Sequence, residues 1–185
     1  MPRGRCGAAA TVDLTLTYSV GDGPLRTSRT RSPDRYEALT AMLDRDCAER
    51  VLSEAARLTL GTVRVEGRGS SSVLHLPVTF TPTGRRTDVA VGGFESTVLL
   101  DVTGDAPRPA GRPLRLDGDR RPVTVDLQLV PARCDPHALA EDKVGTLIGV
   151  RVLAPDVPER TSFYLPIGAE RRARMHAFYA SHCGL

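Results

Sequence analysis

Apolar and polar side chains alternate through residues 11–20 and again through 124–130, where Val125, Leu127 and Leu129 share one side. A period of two is that of a strand with one buried face. The same reading predicts strands over residues 58–66, 72–82, 87–91, 96–102, 113–116, 147–153 and 162–167, with Gly, Ser and Pro punctuation between them and Thr83-Gly84 as a hairpin turn. Helical spacing is rarer. One helix is expected to start at Pro33-Asp34, run through Tyr36, Leu39 and Met42, and continue into residues 47–57. In Cys134-Asp-Pro-His, Asp135 is a capping residue with Pro136 at the first helical position, which predicts a short helix over 136–143. A third helix over 169–182 puts Met175, Phe178 and Tyr179 on one face. Residues 25–35, rich in Arg, Ser and Thr, read as an exposed loop. The fold class expected is mainly β, an antiparallel sandwich-like arrangement with two or three short helices, the last one C-terminal.

The pattern repeats within the chain. A shift of 87 residues superimposes Cys47 on Cys134, Leu52 on Leu139, Glu54 on Glu141, Thr59-Leu60 on Thr146-Leu147 and Val63-Arg64-Val65 on Val150-Arg151-Val152, eight identities in nineteen positions. Background composition would give about one or two. The leading strands match at an offset of 113, so the first half carries an insertion of 26 residues. The chain is therefore expected to consist of two duplicated β-rich halves, residues 11–103 with a loop and helix insertion and residues 113–185 with the C-terminal helix, joined by a Pro- and Gly-rich linker over 104–112. Cys47 and Cys134 would then head equivalent helices.

Composition narrows the function classes. A net charge of +3 is small, and the arginine pairs at 85–86, 120–121 and 171–172 lack interleaved aromatics, so no nucleic-acid partner is expected. Apolar runs are strand length, short of the ~20 residues of a transmembrane helix. Arginine makes up all of the basic residues except Lys143. With abundant Ala, Gly and Pro, that bias fits coding DNA of high G+C content. No phosphate-binding glycine motif is present, and no cofactor is implied.

Four cysteines, Cys6, Cys47, Cys134 and Cys183, form no CxxC pair. In an oxidising compartment they would make one or two disulfides, with Cys134 to Cys183 the first choice because the terminal helix can fold back; in a reducing one they would be small buried hydrophobes. Residues 1–10 hold arginines and small residues without an apolar stretch.

The segment Arg133-Cys-Asp-Pro-His-Ala-Leu-Ala-Glu-Asp-Lys143 after a strand, with the closing Cys183-Gly184-Leu185, resembles a family of uncharacterised secreted proteins and lipoproteins of actinobacteria. The resemblance implies an extracytoplasmic setting, secreted or lipid-anchored after removal of a leader; without such a leader the protein would be cytoplasmic. It implies no established activity.

Three functions fit these residues. The leading one is a binding or structural module, contacting an unknown protein or small ligand through loops at 26–33 and 133–143, with Arg133, Asp135, His137 and Lys143 as contact candidates. A second is a zinc or copper site drawn from Cys134, His137, Glu141, His176, His182 and Cys183, since His137 and Glu141 share a helix face and the terminal helix can approach them. A third is a hydrolase-type enzyme using Asp135, His137, Glu141, Asp142 or Lys143 as acid or base; without a nucleophile, no catalytic residue is assigned.

Overall fold

The computed structural model describes residues 6–107, 111–116, 121–140 and 144–185. Its centre is the antiparallel pair β5 (Val73–Pro82) and β9 (Val123–Pro131), in register from Leu74↔Leu129 to Phe80↔Val123. The alternation decides the faces. Leu74, Leu76, Val78 and Phe80 of β5 and Leu127 and Leu129 of β9 are sealed in the core, while His75, Thr79, Thr124 and Asp126 lie on the opposite, polar face.

β3 (Ala56–Leu60) and β4 (Arg64–Glu66) lie end to end along the free side of β5, and β7 (Leu100–Thr103) closes the far edge beside β9. The predicted single strand over 58–66 is thus broken at Gly61, whose N–H bonds to the Pro77 carbonyl at 2.8 Å. A second sheet runs in the order β11 (Ser162–Tyr164), β10 (Gly149–Leu153), β6 (Ala90–Glu95), β8 (Leu114–Arg115). Phe80 of the first sheet and Phe94 of the second meet with ring centroids 6.4 Å apart, and the buried residues of both sheets belong to one apolar cluster. The fold is mainly β, sandwich-like, with three α-helices among the described residues.

Both sheets mix strands from either side of residues 104–112. β5 pairs with β9, and β6 pairs with β10 and β8. Thr83-Gly84 consequently passes from one sheet to the other instead of turning a hairpin. The expected linker is packed down in its described part, with Ala106 buried and the Pro107 carbonyl accepting the Phe94 N–H at 2.8 Å. Nor do Cys47 and Cys134 head matching helices. Cys47 lies inside α1 (Ala38–Ala55), whereas Cys134 precedes α2 (Pro136–Ala140), and Leu60 ends a strand where Leu147 sits in a turn. Over these residues, sequence likeness is not accompanied by the same order of elements.

α1 starts where Asp34 accepts the Thr40 N–H at 2.6 Å, and this bond holds the Asp34 carboxyl below the usual carboxylate range. The buried face of the helix is Cys47, Ala48, Val51, Leu52 and Ala55; of the residues whose spacing predicted its start, Tyr36 precedes the helix and both Tyr36 and Met42 are exposed. The core takes the C-terminal turns of this helix, so the apolar residues of its N-terminal end have no sheet beneath them. α3 (Ala169–Cys183) buries Met175, Phe178 and Tyr179 as predicted and stops at Gly184, whose φ of 70° lets Leu185 N–H reach the Ala180 carbonyl.

One element stands apart. Among the described residues, β1 (Thr11–Tyr18) pairs with β2 (Arg26–Pro33) alone, in register from Thr11↔Pro33 to Tyr18↔Arg26. β2 replaces the expected loop at 26–33. Its Arg, Thr and Ser side chains carry no apolar alternation that could have marked it as a strand. Neither strand makes substantial contact with any other described element.

Candidate functional site

The α2–α3 junction holds most of the residues singled out from the sequence. Cys134 and Cys183 are joined in a disulfide with their Cα atoms 5.2 Å apart, and Cys6 and Cys47 form a second with a Cα separation of 5.6 Å. Asp135 Oδ1 accepts the His137 N–H at 2.9 Å, so this carboxylate caps α2. The Tyr179 hydroxyl donates to the Arg133 carbonyl at 2.6 Å and accepts the Asp135 N–H at 3.1 Å, tying α3 to the end of β9. His182 Nδ1 lies 3.0 Å from the Ser72 carbonyl and packs edge-on against Phe178. Arg133 and His137 are exposed, and His176 lies on α3.

This geometry corrects the metal expectation. Both sulfurs are consumed by the disulfide and offer no thiolate, and His182 faces Ser72 instead of His137. Among the described residues no group of three His, Cys, Asp or Glu side chains could hold a metal ion. The acid–base cluster loses Asp135 to the helix cap. Glu141, Asp142 and Lys143, named for metal, catalysis and binding, lie outside the described residues.

Two clusters escaped the sequence reading because strand register and loop packing assemble them. On the polar face of the first sheet, His75 Nδ1 is 2.7 Å from Asp126 Oδ2 and its Nε2 is 3.4 Å from Glu66 Oε2, with Arg64 beside Asp126 at 3.8 Å. His75 and Asp126 are 51 residues apart, and no local motif links them. Where β5 leads into β6, the largely buried Arg86 donates to Asp156 and to Asp88, binding the β10–β11 connection to this loop, with Glu54 of α1 at 3.7 Å. These bonds raise the Arg86 guanidinium above its ordinary value and lower both aspartates. Such an Arg with two carboxylates is a structural tie.

Two exposed surfaces among the described residues bear on binding. The first is the β1–β2 arm. Val12, Leu14, Leu16 and Tyr18 share one face of β1, a pattern of alternation that in a sheet would be covered; here Leu16 is 53% and Tyr18 45% exposed, and Val20 and Leu25 beyond the strands are more so. Arg26 and Arg29 project from β2, while Arg31 pairs with Asp13 at 2.7 Å. At the base of the arm, Cys6–Cys47 and a bond from Gly7 N–H to Asp44 at 2.6 Å fasten the chain to α1. The second is a groove of about 640 Å³ between α1, the edge strand β3 and β11, with Leu52 and Phe163 on its floor and Arg57 and Arg85 on its rim.

Compared with protein-family models, curated proteins and solved structures, the chain matches none. No helix among the described residues is long and apolar enough to cross a membrane.

Proposed function

We propose that the protein is an extracytoplasmic binding module, a disulfide-braced β-rich body that presents the β1–β2 arm to a partner. One observation carries the reading: a disulfide fastens to α1 the base of a hairpin whose β1 residues Leu14, Leu16 and Tyr18 stay exposed among the described residues. A two-stranded hairpin is marginally stable on its own in water, and alternation of this kind is costly to leave wet unless another surface covers it. Disulfides persist in oxidising compartments, and they support the export that the resemblance to secreted actinobacterial proteins implies.

Two measurements test this. Protein exported to an oxidising compartment should show no reactive thiol in denaturant, and protein made in reducing cytosol should be less stable. Equal stability with four free thiols would overturn the extracytoplasmic half. A photo-cross-linking residue at Leu16 should trap a discrete partner in the native setting, whereas one at Thr79 on the polar face should not. The binding half fails if both positions give the same products.

A further inference from the structure

The ladder between β3 and β5 determines which backbone groups of β3 face outward. Thr83 N–H bonds to the Ala55 carbonyl and Gly61 N–H to the Pro77 carbonyl, both at 2.8 Å, and the register between them is Ala56↔Pro82 to Leu60↔Val78. In an antiparallel pair, mutually bonded positions alternate with positions that point away. Residues 55, 57, 59 and 61 therefore face β5, and Ala56, Leu58 and Leu60 present their carbonyls, with the N–H groups of Leu58 and Leu60, to the free edge. Proteins usually blunt such an edge. Among the described residues only its far end is blunted: Arg171 of α3 donates to the Leu60 carbonyl at 2.8 Å and to the Gly61 carbonyl at 3.0 Å. The near end, around Leu58, opens into the 640 Å³ groove.

The groove has the layout that an added strand needs. Leu52 and Phe163 form an apolar floor on the core side of β3, and both are almost fully buried. Arg57 and Arg85 stand on the rim, exposed and without a side-chain partner among the described residues, against the single carboxylate of Glu49. A strand laid along Leu58 would alternate its side chains between that floor and that rim.

We propose that the free edge of β3 takes up an extended peptide segment by strand addition, with an apolar residue entering the Leu52–Phe163 floor and flanking carboxylates meeting Arg57 and Arg85. The backbone bonds at Leu58 would supply affinity without sequence preference, and the two guanidiniums would select acidic neighbours. This deepens the binding-module reading with a second surface, distinct from the arm.

The test is panning of a random heptapeptide library on the disulfide-bonded full chain, followed by anisotropy with a fluorescein-labelled peptide of the enriched sequence. Enriched peptides should place an apolar residue between Asp or Glu residues. Affinity should fall roughly tenfold or more in Arg57→Glu/Arg85→Glu, the equivalent of losing at least one of the two charge-assisted pairs. Neither guanidinium holds a bond among the described residues, and both substitutions leave the backbone bonds of Arg57 and Arg85 in place, so the variant should melt with wild type. N-methylation of the peptide amide aligned with Leu58 should weaken binding similarly, and comparison of free-acid with C-terminally amidated peptides shows whether one carboxylate is terminal. Enrichment equal to that on the double variant, or indifference to N-methylation, would overturn the proposal. That failure would leave the arm and the thiol measurements standing, so the two readings can fall separately.

Discussion

Consider two double variants, Cys6→Ser/Cys47→Ser and Cys134→Ser/Cys183→Ser. The bonds they remove span 41 and 49 residues. Loop-closure entropy assigns them nearly the same value, about 3.9 and 4.1 kcal/mol at ~25 °C. The structure nevertheless predicts unequal losses, because the variant's native state can relax differently in the two cases. Releasing α3 would expose Met175, Phe178 and Tyr179, all at or below 3% exposure. At about 1.5–3 kcal/mol per side chain, that costs roughly 5–9 kcal/mol, more than the entropy gained, so α3 stays docked and the full ~4 kcal/mol is lost. The arm is held differently. Its docking rests on the bonds of Gly7 and Ala10 to α1 and on little apolar burial. Two such bonds are worth about 2 kcal/mol together. Without Cys6–Cys47 the arm detaches, and the loss of global stability is capped near that ~2 kcal/mol. Urea unfolding followed by far-UV circular dichroism reads the totals. Native-state hydrogen exchange locates the release, with amides of β1 and β2 unprotected in the first variant and core amides of β5 retained. Equal losses of about 4 kcal/mol in both variants, with β1–β2 still protected, would refute the reasoning and show that the arm folds with the body.

Tyr179→Phe should destabilise by about 1–3 kcal/mol by stranding the Asp135 N–H and the Arg133 carbonyl, measured by the urea midpoint. Phe80→Ala should cost about 3–5 kcal/mol, because it empties the contact with Phe94 between the sheets. The Asp156 carboxyl is lowered by Arg86, so its contribution to stability is complete above its unfolded value, about 3.9, and is lost as pH falls through the lower folded value. Arg86→Ala should therefore melt lower at pH 7 and flatten the acid limb of the melting curve; an unchanged limb would remove Arg86 from that role.

The sequence disclosed what alternation can disclose. β5, β9 and α3 have one apolar face, a clear period and recognisable stops, and each lies close to its expected span. β2 was missed because Arg, Ser and Thr fill both of its faces: among the described residues it is held by pairing with β1 alone, and pairing leaves no hydrophobic trace. Tyr36 and Met42 misled in the opposite way, since spacing marks a face but not whether a sheet lies beneath it. The likeness of residues 47–65 to 134–152 concealed unlike surroundings, an edge of the first sheet for one and the second sheet for the other. Of the candidate residues, the cysteines and Asp135 were legible from local chemistry, as bonds and a cap. The His75–Asp126 contact and the outward amide of Leu58 follow from register, which a single strand does not reveal.

The interleaving of strands sets a schedule for the emerging chain. When β5 leaves a ribosome or translocation pore, β3 and β4 can already pair with one of its edges, and Cys6 can already meet Cys47. Its other edge waits for β9, separated from it by three strands that belong largely to the other sheet. Through that interval the core side chains Leu74, Leu76, Val78 and Phe80 stand half assembled. Such an exposed edge is what a holding chaperone recognises, and a stalled chain would expose it for as long as the stall lasts. The second disulfide joins two cysteines that both follow β9, so it can form only after α3 has been made, which makes its oxidation a timestamp for the arrival of that helix.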